Sequence, residues 1–206
     1  RLEYKDENEF IGNLLAEISL IKNSRIDIEN FYSGVCGEEI FRDIYKKYET
    51  RLKENRLIDF DDMLSYTYEL FKERPDILAL WQNKYKYILI DEFQDINRLQ
   101  YEIIKMLAAP QNNLFIVGDD DQSIYRFRGS KPEIMLGFEK DYPDAKRILL
   151  DTNYRCGRYI VEASLNLISH NRERFDKKII AASKSKAPVT FADFENRRDE
   201  NIFLIR

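Results

Sequence analysis

Three short apolar runs in this chain each end on acidic residues, and no other feature limits the fold as much. Tyr87-Ile-Leu-Ile90 runs into Asp91-Glu92, Leu114-Phe-Ile-Val117 into Gly118-Asp119, and Arg147-Ile-Leu-Leu150 into Asp151. Apolar runs this short, without polar alternation, suit strands buried on both faces of a parallel sheet. Between the first two lies a helical pattern of Leu99, Ile103, Met106 and Leu107, closed by Pro110. Between the second and third lies another, following Pro132, with Ile134 and Phe138. The order is βαβαβ, and right-handed crossovers predict three parallel strands. The polar residues then gather at the carboxyl ends of the strands, the edge where open α/β sheets bind ligands.

The flanking segments read differently. Residues 9–80 are mostly helical in pattern, with Phe10, Leu14, Ile18 and Ile21 on one face. Ile40, Ile44, Tyr48 and Leu52 repeat every four residues, and Met63, Tyr66, Leu70 and Phe71 continue until Pro75 interrupts. Such stripes are core-packing faces. Trp81, near Pro75, is a packing anchor on the same reading. After the third run, Cys156 to Asn171 reads as a helix that Thr152 or Asn153 could cap. Residues 177–186, rich in Lys and Ser, read as a loop, Val189 to Phe194 as a strand, and Asn196 to Arg206 as an amphipathic helix. The chain opens on Arg1 rather than Met and stops inside that helix, which predicts a fragment.

Composition narrows the classes. Apolar residues make up 44% of the 206 and charged residues 34%, enough for a sizeable core under a solvated surface. No apolar run approaches the roughly 18 residues of a membrane span, and no secretory signal opens the chain. Cys36 and Cys156 are too few for a disulfide framework or a Cys-based zinc site, so buried thiols in a reducing, cytoplasmic compartment are expected. His170 is the only histidine, which excludes a multi-histidine metal site and histidine-based catalysis. With a net charge of −4, any nucleic-acid binding must come from a local groove rather than a global basic footprint.

The strand ends carry the chemistry. Paired carboxylates at Asp91 and Glu92 suit a hard cation such as Mg²⁺ on one and an attacking water oriented by the other. Acids at a solvated helix N-terminus would look the same. Gly118-Asp-Asp-Asp-Gln-Ser-Ile-Tyr-Arg-Phe-Arg-Gly129 packs acids, an amide, aromatics and guanidiniums into one loop. Gln122 can donate to a phosphate oxygen and accept from a water. Tyr125 and Phe127, interleaved with Arg126 and Arg128, suit single-stranded nucleic acid, with bases stacked on rings. A buried aromatic pair between surface arginines is the other reading. In Asp151-Thr-Asn-Tyr-Arg-Cys156, Tyr154 could stack on a purine and Arg155 could reach a phosphate.

Together these stretches resemble superfamily 1 DNA helicases of the UvrD, Rep and PcrA type. Asp91-Glu-Phe-Gln-Asp95 is similar to the family's motif II, Val117 to Gly129 to motif III, and Leu149 to Arg155 to motif IV. Ile58-Asp-Phe-Asp-Asp-Met-Leu64 is similar to a further conventional segment. The likeness runs from about residue 55 to 170. It implies a RecA-like α/β core that uses ATP and Mg²⁺, preceded by a mostly helical insertion. Asp91, with Glu92, would bind the metal, and Glu92 would activate water. Gln122 would sense the γ-phosphate. Arg155 would be an arginine finger and Tyr154 an adenine stacker. Tyr125, Phe127 and Arg128 would touch single-stranded DNA. Phe127 stands where many relatives carry Trp, which predicts weaker stacking.

The resemblance also implies domains and departures. Residues 1–84 would be the C-terminal part of the helical 1B subdomain, 85–150 the second half of motor domain 1A, and 151–206 the start of motor domain 2A. No Gly-x-x-x-x-Gly-Lys-Ser/Thr occurs, so the phosphate-cradling loop that a nucleotide site needs is missing. Motifs V and VI are also absent. The expected parent is a 3′ to 5′ DNA helicase acting on single-stranded DNA and duplex junctions, with the 206 residues alone inactive. Two alternatives are the motor part of an AddA- or RecB-type helicase–nuclease and a motor-dead DNA- or partner-binding relative. A Mg²⁺-dependent nuclease or phosphatase on Asp91, Asp119 and Asp151 would leave the motif III aromatics unexplained.

Overall fold

The computed structural model describes residues 7–123, 132–183, 185, 187–188 and 190–205. The chain divides into two compact units, 1–143 and 144–206. In the first, α1 (Glu7–Ser24), α2 (Glu38–Glu54), α3 (Phe60–Glu73) and α4 (Pro75–Lys84) precede β1 (Ile88–Ile90), α5 (Arg98–Ala108) and β2 (Leu114–Ile116). Short helices α6 (Pro132–Leu136) and α7 (Phe138–Asp141) close it. No helix of the described residues is long and apolar enough to cross a membrane.

The helices form where the sequence predicts them; Leu14, Ile18 and Ile21 of α1 face inward as read, while α2 and α3 turn part of their predicted stripes outward. In α2 the buried residue is Phe41, fully inaccessible against Leu14, Ile18 and Ile21 of α1, while Ile40 is exposed. In α3, Leu64, Tyr68 and Phe71 face the core, and Met63, Tyr66 and Leu70 are exposed. A four-residue repeat drifts by about 40° per step on a helix of 3.6 residues per turn, so a stripe of pure fours leaves the core. Pro75 does not simply stop α3; it starts α4 at N1, where its missing N–H costs nothing. Trp81 is not a core anchor. It is partly exposed, stacked on Tyr85 at 5.7 Å under Lys84.

Helix α5 is the wall shared by two cores. Leu99 and Ile103, with Met106 and Leu107, pack against Phe71, Ile77 and Leu78. On its other side Tyr101 and Ile104 join Phe93, Ile96, Ile90 and Ile116. Polar residues fix the helices to one another. Lys22 of α1 is buried with Nζ 2.7 Å from Glu49, 2.7 Å from Asp59 and 2.8 Å from Asp62. Asn97 caps α5 through a capping box with Gln100 and also donates to Asn23 Oδ1 of α1 at 3.0 Å. Asn23 in turn donates to Asp61 of α3 at 2.7 Å.

β1 and β2 pair in parallel, with Ile90 opposite Ile116 and α5 as the crossover. The expectation of strands buried on both faces is corrected. Ile90 and Ile116 face the core, while Leu89 and Phe115 on the opposite face are exposed. Helices cover only one side of this two-stranded sheet among the described residues.

The second unit has its own parallel pair, β3 (Thr152–Gly157) and β4 (Ile180–Ser183), joined through α8 (Arg158–Ile168), with α9 (Arg197–Ile205) following. This corrects the sequence expectations for this region. Arg147 to Leu150 forms no strand and leaves Ile148 and Leu150 exposed; the ladder starts one step later, where the Ile180 N–H donates to Asp151 O. Part of the predicted 177–186 loop is β4, and Thr190 to Phe194 is not a strand. A strand needs a partner's backbone donors and acceptors, and apolarity alone does not name the partner. Thr152 and Asn153 lie in β3 rather than capping α8, whose N-cap is Gly157. Cys36 and Cys156 are half-buried free thiols rather than fully buried ones.

Candidate functional site

The site lies where β1 and β2 end side by side. The Val117 N–H donates to Ile90 O at 2.8 Å, and the Phe93 N–H returns to Val117 O at 2.9 Å. Between them the chain must turn sharply, and Glu92 does so in the left-handed region at φ 50° and ψ 42°. A carboxylate of Asp91 accepts the Glu92 N–H at 2.9 Å, and the Asp95 N–H closes a 3-10 turn (Phe93–Asp95) on Glu92 O at 2.9 Å. Phe93 anchors this turn. It is fully buried, edge-on to Tyr101 at 5.8 Å and to Phe138 at 5.6 Å. The Tyr101 hydroxyl donates to Asp141 at 2.8 Å; burial and that acceptor both hold the phenol protonated well above its usual range.

The loop after β2 answers the turn after β1. Asp119 caps a 3-10 turn (Asp120–Gln122), its carboxylate accepting the Asp121 N–H at 3.2 Å and the Gln122 Nε2 at 2.7 Å. Buried Gln94 spans the two segments. Its Nε2 donates to Glu92 Oε2 at 2.7 Å, and its Oε1 accepts the Asp119 N–H at 2.9 Å. Its backbone oxygen accepts the Ser123 hydroxyl at 3.2 Å. A continuous set of hydrogen bonds therefore runs Glu92, Gln94, Asp119, Gln122.

Gly118 makes room for that bridge. A Cβ there would lie 2.6 Å from Gln94 Oε1, 3.1 Å from Phe93 N and 3.2 Å from Gln94 N. Sequence reasoning gave Gln94 and Gly118 no role. A glycine directly after a strand was the available signal, because it marks close backbone approach.

The structure brings Asp91, Glu92 and Gln122 to one strand-end edge, all three exposed. Tyr154 and Arg155 lie on β3 of the second unit, both exposed, with Asn153 Oδ1 accepting the Arg155 N–H at 3.0 Å. Tyr125, Phe127 and Arg128 fall outside the described residues. Among the described residues the three carboxylates grouped at ligating distance are Asp119, Asp120 and Asp121, within 4.8 Å of one another. Asp91 suits Mg²⁺ by donor type: an exposed carboxylate at a strand end, able to share a hard cation with water and phosphate oxygens.

Fold and site together define an α/β strand-end site of the acid-and-amide kind, at the edge where open α/β sheets bind ligands. Residues 3–143 match the UvrD/REP helicase N-terminal domain, and the chain belongs to that helicase family. It is 46% identical over 202 residues to YjcD of Bacillus subtilis (strain 168), covering 97% of this chain and 26% of that protein. It is 37% identical over 196 residues to the ATP-dependent DNA helicase PcrA of Staphylococcus epidermidis, covering 95% and 26%. Against PcrA of Leuconostoc citreum it is 36% identical over 194 residues, covering 93% and 26%. The chain thus spans about a quarter of the length of these curated relatives.

Proposed function

We propose that this chain is the motif II to motif IV region of an ATP-dependent DNA helicase that moves along single-stranded DNA in the 3′ to 5′ direction and separates duplex at junctions. The observation that carries it is the hydrogen-bonded set Glu92, Gln94, Asp119, Gln122 across two adjacent parallel strand ends. Residues 85–150 would belong to a RecA-like motor domain 1A, residues 1–84 to the helical 1B subdomain and residues 151–206 to motor domain 2A. The exposed Leu89 and Phe115 support a larger sheet, because parallel sheets are normally covered on both faces. As a DNA motor, the protein would work in the cytoplasm.

In this reading Asp91, with Glu92 beside it, holds Mg²⁺. The metal, when bound, supplies charge neutralisation on the phosphates. Glu92 accepts a hydrogen bond from the attacking water and takes its proton, work worth roughly 10²–10⁴ in rate. Gln122 contacts the γ-phosphate side and passes its state to the following loop, whose Tyr125, Phe127 and Arg128 grip single-stranded DNA. Tyr154 stacks on adenine and Arg155 reaches the γ-phosphate, a contribution of about 10³–10⁵ in analogous sites. The phosphate cradle must come from residues other than these 206, which hold no Gly-x-x-x-x-Gly-Lys-Ser/Thr. The test is unwinding by the full-length protein of duplexes with a 3′ or a 5′ single-stranded tail. ATP-dependent strand separation from the 3′ tail supports the reading, and none from either tail refutes it.

A further inference from the structure

We infer that Gln94 is a positioning residue that couples the Glu92 carboxylate to the loop after β2, an inference resting on the helicase reading above. Gln94 is 2% exposed, yet both ends of its amide are used, and they meet opposite chemistry. The NH₂ end faces a carboxylate oxygen of Glu92, and the carbonyl end faces the N–H of Asp119. Only an amide of this length donates to one and accepts from the other. A carboxylate cannot donate, Asn is one methylene short, and an apolar side chain does neither.

The surroundings make the bridge stiff. Glu92 occupies the left-handed region, so its own backbone preference does not hold its carboxylate in place. Gly118 lets the Gln94 amide approach the β2 backbone, and the Ser123 hydroxyl on Gln94 O ties down the far end of the same loop. Asp119 carries Gln122 on its carboxylate. A displacement of the 119–123 loop is therefore carried to Glu92 through one buried side chain, and a change at Glu92 is carried back.

The experiment uses full-length wild-type protein with its Gln94→Met and Gln94→Glu variants. It measures ATP hydrolysis over a range of ATP at saturating single-stranded DNA, together with thermal melting. A wild type without DNA-stimulated hydrolysis sinks the helicase reading itself, and this inference with it. With an active wild type, kcat should fall about 10- to 100-fold in both variants, as for a catalytic group moved by about an ångström. The KM for ATP should stay within about twofold, the pattern of a lost transition-state contact, with kcat taken per folded molecule at a temperature where melting shows each variant folded. If kcat stays near wild type in either variant, or falls only as folded protein is lost, Gln94 is a structural residue and the inference is wrong.

Discussion

Glu92 pays a local cost of about 1–2 kcal/mol for a left-handed conformation with a Cβ. The cost is met by the two hydrogen bonds that close the turn on it and by the Gln94 amide. The glycine opposite is as constrained. Gly118→Ala should destabilise the chain by about 1–3 kcal/mol, the usual range for overpacking, because the added carbon meets backbone nitrogens as well as Gln94. Urea unfolding of the two proteins would measure it; equal midpoints would show that the β2 loop simply moves aside. The placement of Asp91, Glu92 and Gln122 after the strands was legible in the sequence because acids and an amide followed apolar runs. Gln94 was not, since its partner at Asp119 depends on the register of β1 against β2, which no single strand encodes.

Between elements, the strongest polar tie is the Lys22 cluster, which joins α1, α2 and α3. Burial works to lower the Lys22 pKa, but its bonds to Asp59, Asp62 and Glu49 win and raise it above the usual lysine range. Burial likewise works to raise Asp59, and its bonds from Lys22, the Asp62 backbone and Tyr48 win and lower it. The Tyr48 phenol, buried and donating to Asp59, is pushed up to about 12. Lys22→Met leaves three carboxylates facing one another and should cost about 3–5 kcal/mol, as breaking a buried pair does. A loss under about 1 kcal/mol in urea unfolding would mean that water reaches the cluster.

The signs of these shifts also set a pH window. The depressed Asp59 stabilises the fold above the ordinary carboxylate pKa of about 4 and loses that contribution as pH falls. The raised Lys22 contributes fully below about 10.4 and loses it only at higher pH. Unfolding free energy should therefore be level from about pH 5 to 9 and drop on the acid side, and Asp59→Asn should flatten that acid drop. An equally steep drop in the variant would assign it to other carboxylates. Asn97→Ala removes the α5 cap and takes the donor from Asn23 Oδ1 at once, so about 1–3 kcal/mol should be lost, read from the same denaturation curves. The helices themselves were legible from periodicity. Their inward phase was legible in part: Leu14, Ile18, Ile21 and Phe71 were read as core-facing and are buried, whereas Phe41 was missed because the four-residue stripe put Ile40 inward. The strand placed at Arg147 to Leu150 failed because pairing with Ile180 to Ser183 captures Thr152 onward.

At the scale of the whole molecule, the chain carries two compact units, each with one parallel strand pair joined through a helix. Family membership follows from residues 3–143 and from relatives that match nearly the whole chain. The motifs were legible in the sequence because they sit in unbroken stretches. The units part after Pro143, whereas the resemblance puts a domain boundary after residue 150. The motor reading turns on Glu92 being the hydrolytic carboxylate of a DNA-stimulated ATPase. Steady-state ATP hydrolysis by the full-length protein, with and without single-stranded DNA, compared with its Glu92→Gln variant, tests this most directly. The account predicts turnover that rises with DNA and falls roughly 10²–10⁴-fold in the variant; turnover indifferent to DNA, or a fully active Glu92→Gln enzyme, would contradict it.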